Sequence, residues 1–374
     1  ALPDTVSIVV RGSRFLAFVW AAIIFLTRRY YRETNLLPVW LLLCSCIVAT
    51  FANWNGFMAM AGFVCPIFAS VVLTRYLLQL KGLKGMVWIS VLLSVLLIVQ
   101  GISALTGGFG IGFSNNIAYV KYFFGMRVEI SNIYIFAVAL SLIVAVLRGT
   151  AFKVLALAAI ASGLYFILYE WVSTAITATL VFSITLALDS IIKREKTWRF
   201  LTVLALTMAI LYMLYLRTAD AFEWFIVDFL GKNTTFSGRT FIWDQMFSYM
   251  NGWHWLFGNG LNSGMLFYLG ANNEWSANTA HSQYLNLIFY FGFAGLISYV
   301  FMLVKQFSVT KRLSNPRIRA LVIAANIAII VTGIPTTTFR RVYLYIYYVI
   351  ITTLPAIVEE SNSVDASGQG EFSR

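Results

Sequence analysis

The chain has 374 residues, of which 60% are hydrophobic and only 11% charged, and its mean hydropathy is +0.80. A soluble domain carries roughly 25% charged residues, so this composition excludes one and points to a polytopic membrane protein. The formal net charge of +12 raises nucleic acid as a partner, but the basic residues alternate along the chain as a membrane topology requires, which removes that reading.

Apolar runs recur along nearly the whole length, most of them long enough to cross about 30 Å of hydrocarbon as a helix. They predict spans at Phe15 to Leu26, Leu37 to Phe51, Met58 to Leu77, Met86 to Leu105, Asn132 to Leu147 and Val154 to Tyr169. Further spans are predicted at Val172 to Ile192, Phe200 to Leu216, Tyr284 to Val304, Ile318 to Ile334 and Val342 to Val358. Barrel strands would be shorter and would alternate. The expected fold class is therefore all-α, with about eleven (10–12) transmembrane helices.

Basic clusters follow every second span: Arg28, Arg29 and Arg32, then Lys81 and Lys84, then Arg148 and Lys153, then Lys193, Arg194, Lys196 and Arg199, then Lys305 to Arg319. The positive-inside rule then places the amino terminus in the cytoplasm. Seven of the 27 basic residues fall on the outer side: Lys121, Arg127, Arg217, Lys232, Arg239, Arg340 and Arg341. Outer arginines oppose that topology, and the guanidinium is the side chain suited to bidentate phosphate recognition. The competing reading has them snorkel to lipid phosphates or pair with Asp220, Glu223, Asp228 or Glu129.

Four regions result: helices over 1–216, a large extracytoplasmic loop over 217–283, helices over 284–358 and a disordered cytoplasmic tail over 359–374 rich in Ser and Gly. In the large loop, Ala219 to Phe229 and Thr240 to Tyr249 read as short interfacial helices, and Gly258-Asn259-Gly260 as flexible punctuation. Cys44, Cys46 and Cys65 lie in predicted spans, so neither a disulfide nor a metal site is expected. Thr106 to Gly112 is Gly-rich but has neither a Walker nor a dinucleotide pattern. No cleavable signal peptide is evident.

Both histidines, His254 and His281, fall in the large loop. His254 sits between Trp253 and Trp255 and reads as part of an aromatic belt. His281 lies within a turn of the start of a span, where a helix amino terminus offers N–H groups to anions. It is the best candidate for proton transfer near neutral pH, with Glu170, Asp244 and Glu274 as acid/base or orienting reserves. Trp243, Trp253, Trp255 and Trp275 could stack on sugar faces or anchor at the interface.

Ser237-Gly238-Arg239 with Trp243, the pair Gly258 and Gly260, and His281-Ser282 followed by Gly292-Phe293-Ala294-Gly295 resemble the carboxy-terminal signature of the O-antigen ligase and polymerase superfamily. The resemblance implies an inverting glycosyltransferase of the bacterial inner membrane, working on its outer face. It would need no cofactor and no metal, because the donor glycan is activated by undecaprenyl diphosphate. Partners would be the lipid-linked donor and acceptor, the bilayer and, as a further candidate, a chain-length regulator. Arg239 would bind the diphosphate and His281 would assist or orient the acceptor hydroxyl. Arg127 resembles the arginine that precedes a helix in the family, whereas Arg217 and Arg340 join the diphosphate set by topology alone. Trp171-Val172-Ser173-Thr174-Ala175 lacks the arginine that many members carry at the start of a middle span. A polymerase of surface polysaccharide is the leading expectation, a ligase the alternative, and a transporter of lipid-linked glycans a weaker third.

Overall fold

The computed structural model describes residues 4–114, 117–189, 228, 239–261, 267–268, 276–277 and 279–371. Its helices are α1 (Asp4–Thr27), α2 (Leu37–Asn53), α3 (Phe57–Leu105), α4 (Tyr134–Arg148), α5 (Thr150–Tyr169) and α6 (Ser173–Asp189). They continue with α7 (Arg239–Ser248), α8 (His254–Phe257), α9 (Gln283–Val309), α10 (Pro316–Thr332) and α11 (Val342–Glu371). Each predicted span on these residues coincides with a helix. The span Phe200 to Leu216, Arg217, Glu274 and, apart from Asp228, the segment Ala219 to Phe229 lie outside the described residues.

Local chemistry sets the boundaries. The Asn315 side chain accepts hydrogen bonds from the backbone N–H groups of Arg317 and Ile318, and Pro316 at the first helical position lacks the N–H that would otherwise be orphaned, so α10 begins there. Gly149, at φ 88°, separates α4 from α5. The 49 residues of α3 would extend about 74 Å as one straight helix, more than twice the thickness of a hydrocarbon core. Gly82 (φ 47°, ψ −126°) breaks it into the two expected spans, so a single residue takes the place of the expected loop around Lys81 and Lys84.

One other expectation changes. Residues from 359 do not form a disordered tail as far as they are described, because α11 continues to Glu371. Extending a formed helix needs no new nucleus, which lets a polar sequence follow an apolar one. The Gly-rich segment after α3 forms a hairpin, with β1 (Ile111–Ser114) antiparallel to β2 (Ile117–Val120). A second short pair joins β3 (Phe267–Tyr268) to β4 (Ser276–Ala277).

Four helical stretches, Phe57–Leu105, Thr150–Tyr169, Gln283–Arg312 and Val342–Glu360, are long and apolar enough to cross a membrane. α4, the first half of α9, α10 and the start of α11 are buried on nearly every side. α1, α3 and α5 instead expose large apolar side chains, including Phe15, Trp20, Leu92, Leu157 and Leu168. An outer ring of apolar helices around a buried set fits a bundle solvated by lipid. Small residues allow close packing inside: Gly101 of α3 abuts Ser162 of α5, and Gly163 abuts the Tyr134 ring. We therefore describe an all-α membrane protein.

Candidate functional site

One end of the bundle is assembled around the start of α9. Ala280 and Ser282 are fully buried, whereas His281 between them is exposed in a left-handed backbone conformation, φ 51°. That conformation is uncommon for a residue with a side chain, and it turns the imidazole outward while its neighbours stay packed. The flanking peptides are anchored. The Trp243 indole N–H donates to the Ala280 carbonyl at 2.9 Å, and the Ala280 N–H donates to Asn286 Oδ1 at 2.9 Å. The Gln283 N–H donates to the Gly333 carbonyl at 2.8 Å, so this donor of the α9 amino terminus is already committed within the fold rather than open to an anion.

Gln283 and Asn286, three residues apart on one face, tie this helix start to the turn after α10. Gln283 Oε1 accepts from the backbone N–H groups of Thr338 (3.0 Å) and Phe339 (3.1 Å) and from the Thr338 hydroxyl. Asn286 Nδ2 donates to Thr337 Oγ1 at 2.7 Å. The next residue, Arg340, is exposed, with its guanidinium 5.8 Å from the Tyr290 ring centroid. Arg341 pairs with Glu129, which also accepts from Asn132 Nδ2 at 2.9 Å. Arg127, two residues before Glu129, donates to the Glu170 carbonyl oxygen at 3.3 Å. The Glu170 carboxylate accepts from the Tyr122 hydroxyl. Burial first, and then that carboxylate, push the Tyr122 phenol above its ordinary range despite Arg127, so it stays the donor.

The candidate residues thus separate. His281, Arg340, Arg127 and Glu170 sit on segments linked by this run of contacts. For Arg341 the competing reading holds, since it pairs with Glu129. Among the described residues Arg127 and Arg340 have no carboxylate partner. Arg239 is the first residue of α7, and its side chain lies outside the described residues. Asp244 is exposed on the same helix. On and beside the segment of Arg127, the buried atoms Ser131 Oγ, Asn132 Oδ1 and Ser173 Oγ have no hydrogen-bond partner among the described residues. Among the described residues no group of three His, Cys, Asp or Glu side chains could hold a metal ion.

The glycine motifs take a different role from the expected flexible punctuation. α9 breaks at Gly292 (φ 65°, ψ −166°), and the carbonyls of Phe289 and Tyr290 are reached by the N–H groups of Asn259 (2.8 Å) and Gly260 (3.0 Å). A Cβ on Gly292 would lie closer than 3.0 Å to the backbone of Leu256 and Phe257, and one on Gly258 equally close to that of Tyr290 and Phe291. Asn53 Nδ2 on α2 donates to the Gly258 carbonyl at 3.1 Å. The loop and the broken helix form a backbone-to-backbone clasp that only glycines admit.

The aromatic residues are reassigned as well. Trp243 is buried and hydrogen-bonded, so it is a strut and not a sugar platform or interface anchor. With Ile242 and Met246 also buried, α7 turns its apolar face onto Leu285, Ile288 and Phe289 of α9 instead of lying in the lipid interface. Trp255 stacks with Phe247 and Phe293 at 6.0 and 5.9 Å, and His254 Nδ1 lies 2.7 Å from Asn251 Oδ1. Sequence reasoning missed Gln283, Asn286 and Tyr122. The available signal for Gln283 and Asn286 was two amides three residues apart at the mouth of an apolar run. No family model matches the chain, and no curated protein or solved structure matches it either.

Proposed function

We propose that this chain is a membrane-integral, inverting glycosyltransferase that polymerises undecaprenyl-diphosphate-linked repeat units into surface polysaccharide. The reading includes an eleven-span topology with a cytoplasmic amino terminus and the His281 end facing outward. The observation that carries it is the linkage of three distant segments: Gln283 binds the Arg340 turn to the His281 turn, and Arg341 binds that turn to the segment of Arg127. Two guanidiniums without carboxylate partners among the described residues and an exposed imidazole are then held at one end of a lipid-solvated bundle.

In this reading His281 accepts the proton of an acceptor sugar hydroxyl as its oxygen attacks the anomeric carbon from the face opposite the diphosphate. The bond from that carbon to the diphosphate oxygen breaks with inversion. Arg127, Arg340 and Arg239 stabilise the charge that develops on the leaving group, an effect largest in a preorganised site. Arg217, Asp244, Glu170 and Glu274 remain secondary candidates. Glu170 is the best placed of the carboxylates, beside Arg127.

A ligase would share this chemistry and differ in its acceptor. Discontinuous helices are also a mark of transporters, where open backbone groups bind cargo. Here the carbonyls of Phe289 and Tyr290 at the α9 break accept from Asn259 and Gly260, which favours a structural role for the break. The test uses purified protein in detergent with lipid-linked repeat units and no second acceptor. A ladder of products is expected. Turnover only after a second acceptor is added would indicate a ligase, and no turnover under either condition would reject the enzyme. His281→Ala and Arg239→Ala should each abolish the ladder, and Arg239→Lys should impair it, because an ammonium cannot reproduce the bidentate fork.

A further inference from the structure

The opposite end of the bundle holds a polar cavity of about 170 Å³, between the turn before α2, the later part of the first half of α3, the end of α9 with the turn after it, and α11. Its charged lining is Glu33, Arg75, Lys305 and Arg312, with Ser308 and Thr353 among the neutral polar groups. Glu33 is committed to its own side of the cavity. It receives Arg75 Nε at 2.8 Å and Gln79 Nε2 at 3.5 Å. The hydroxyls are likewise engaged as donors, Ser308 to the Lys305 carbonyl and Thr353 to that of Val349, each at 2.7 Å. What remains is cationic. Among the described residues neither Lys305 nor Arg312 has a carboxylate partner, and the Lys305 ammonium rests 5.6 Å from the Phe301 ring centroid.

We propose that this cavity binds a phosphate group, with Lys305 and Arg312 supplying the charge and Arg75, fixed by Glu33, closing one wall. Several features favour phosphate. Two cations seven residues apart, Lys305 on α9 and Arg312 in the short 3-10 turn that follows it, share one concave site, and the guanidinium supplies a fork of donors while the ammonium supplies a point charge. A volume of about 170 Å³ leaves room for a phosphate with part of a glycerol. Pro355 lines the cavity within α11 and cannot donate to the Ile351 carbonyl, which loosens the helix at the wall. The cavity also lies at helix ends, the level at which a spanning bundle meets lipid headgroups. The phosphate could therefore belong to an anionic phospholipid or be free in solution.

The test compares the full chain in detergent with Lys305→Gln/Arg312→Gln, with the charge-preserving Lys305→Arg/Arg312→Lys, and with Arg317→Gln/Arg319→Gln as a control for general charge. Native mass spectrometry counts retained dioleoyl-phosphatidylglycerol against dioleoyl-phosphatidylcholine, and calorimetry follows inorganic phosphate. Binding should fall about 25-fold in the double glutamine variant, about a factor of five for each basic residue lost, while the other two variants stay near wild type. Retained phosphatidylglycerol that millimolar phosphate does not displace identifies a headgroup. Phosphate binding that depends on the same two residues identifies a free anion. Binding of both probes that is unchanged in Lys305→Gln/Arg312→Gln, or reduced as far by the control pair, overturns the proposal.

Discussion

Two long helices are each interrupted by one glycine, and the two interruptions differ in what surrounds them. Gly82 in α3 and Gly292 in α9 both have positive φ and ψ values far from helical. At Gly82 the nearest atom to an added Cβ is the end of the Glu360 side chain, 3.2 Å away. At Gly292 the added atom would overlap the Leu256 and Phe257 backbone. Gly82 redirects the chain between the two helical halves of α3. Gly292 opens a helix so that another backbone can enter and satisfy the carbonyls that the break sets free. A glycine break reports a topological turn or a docking point according to whether side chain or backbone fills the space a Cβ would take.

Alanine at each position separates the two terms. Both substitutions carry the strain of a sparsely populated backbone region, about 1–3 kcal/mol. Only Gly292→Ala adds a collision with main chain that no rotamer can relieve, typically a further 1–3 kcal/mol or more. Gly82→Ala should still purify as a monodisperse species with a lowered melting temperature, whereas Gly292→Ala should fail to accumulate or melt far lower. Equal losses in a detergent melting assay would mean that the clasp contributes nothing beyond local strain.

A second contrast concerns two residues near the clasp that act in different ways. Under the proposed function, Arg340→Ala removes a guanidinium that has no carboxylate partner among the described residues, so turnover of lipid-linked donor should fall about 100-fold or more, as for loss of a charge-stabilising donor, with little change in melting. Gln283→Leu should lower stability by about 2 kcal/mol or more, because it leaves the buried Thr338 and Phe339 N–H groups without an acceptor. It should lower activity only through the displaced Arg340 turn. If Arg340→Ala destabilised the protein as much as Gln283→Leu, Arg340 would be a structural residue.

The helices were legible because burial in lipid requires long apolar runs, and the helical stretches follow those runs closely. The arginines assigned to the outer side drew notice because each breaks the alternation of basic clusters along the sequence. Their partners were not. Nothing in the composition of Thr106 to Ser131 says that Glu129 meets Arg341, or that Tyr122 meets Glu170, since those contacts span 212 and 48 residues. The motif glycines were visible as a pattern, but that Gly258 and Gly292 touch each other's neighbours is a property of packing. Trp243 was misread for a related reason. An indole suits an interface and a buried strut equally well, and only the Ala280 carbonyl decides between them.

The smallest expected effect concerns the contact that most resembles a fastening. Glu129 and Arg341 join two segments far apart in sequence, yet their side chains retain 19% and 44% of their exposure. An ion pair so open to solvent contributes about 0–1 kcal/mol and is screened by salt. Glu129 also accepts from Asn132 at 2.9 Å, so Glu129→Gln keeps an acceptor for that amide and isolates the charge. The melting temperature of Glu129→Gln should therefore lie within a few degrees of wild type and converge with it as salt rises. A large loss that persists in high salt would show that the pair is shielded more than its exposure indicates. The junction between the Arg127 and Arg340 segments would then be as firm as the one Gln283 makes.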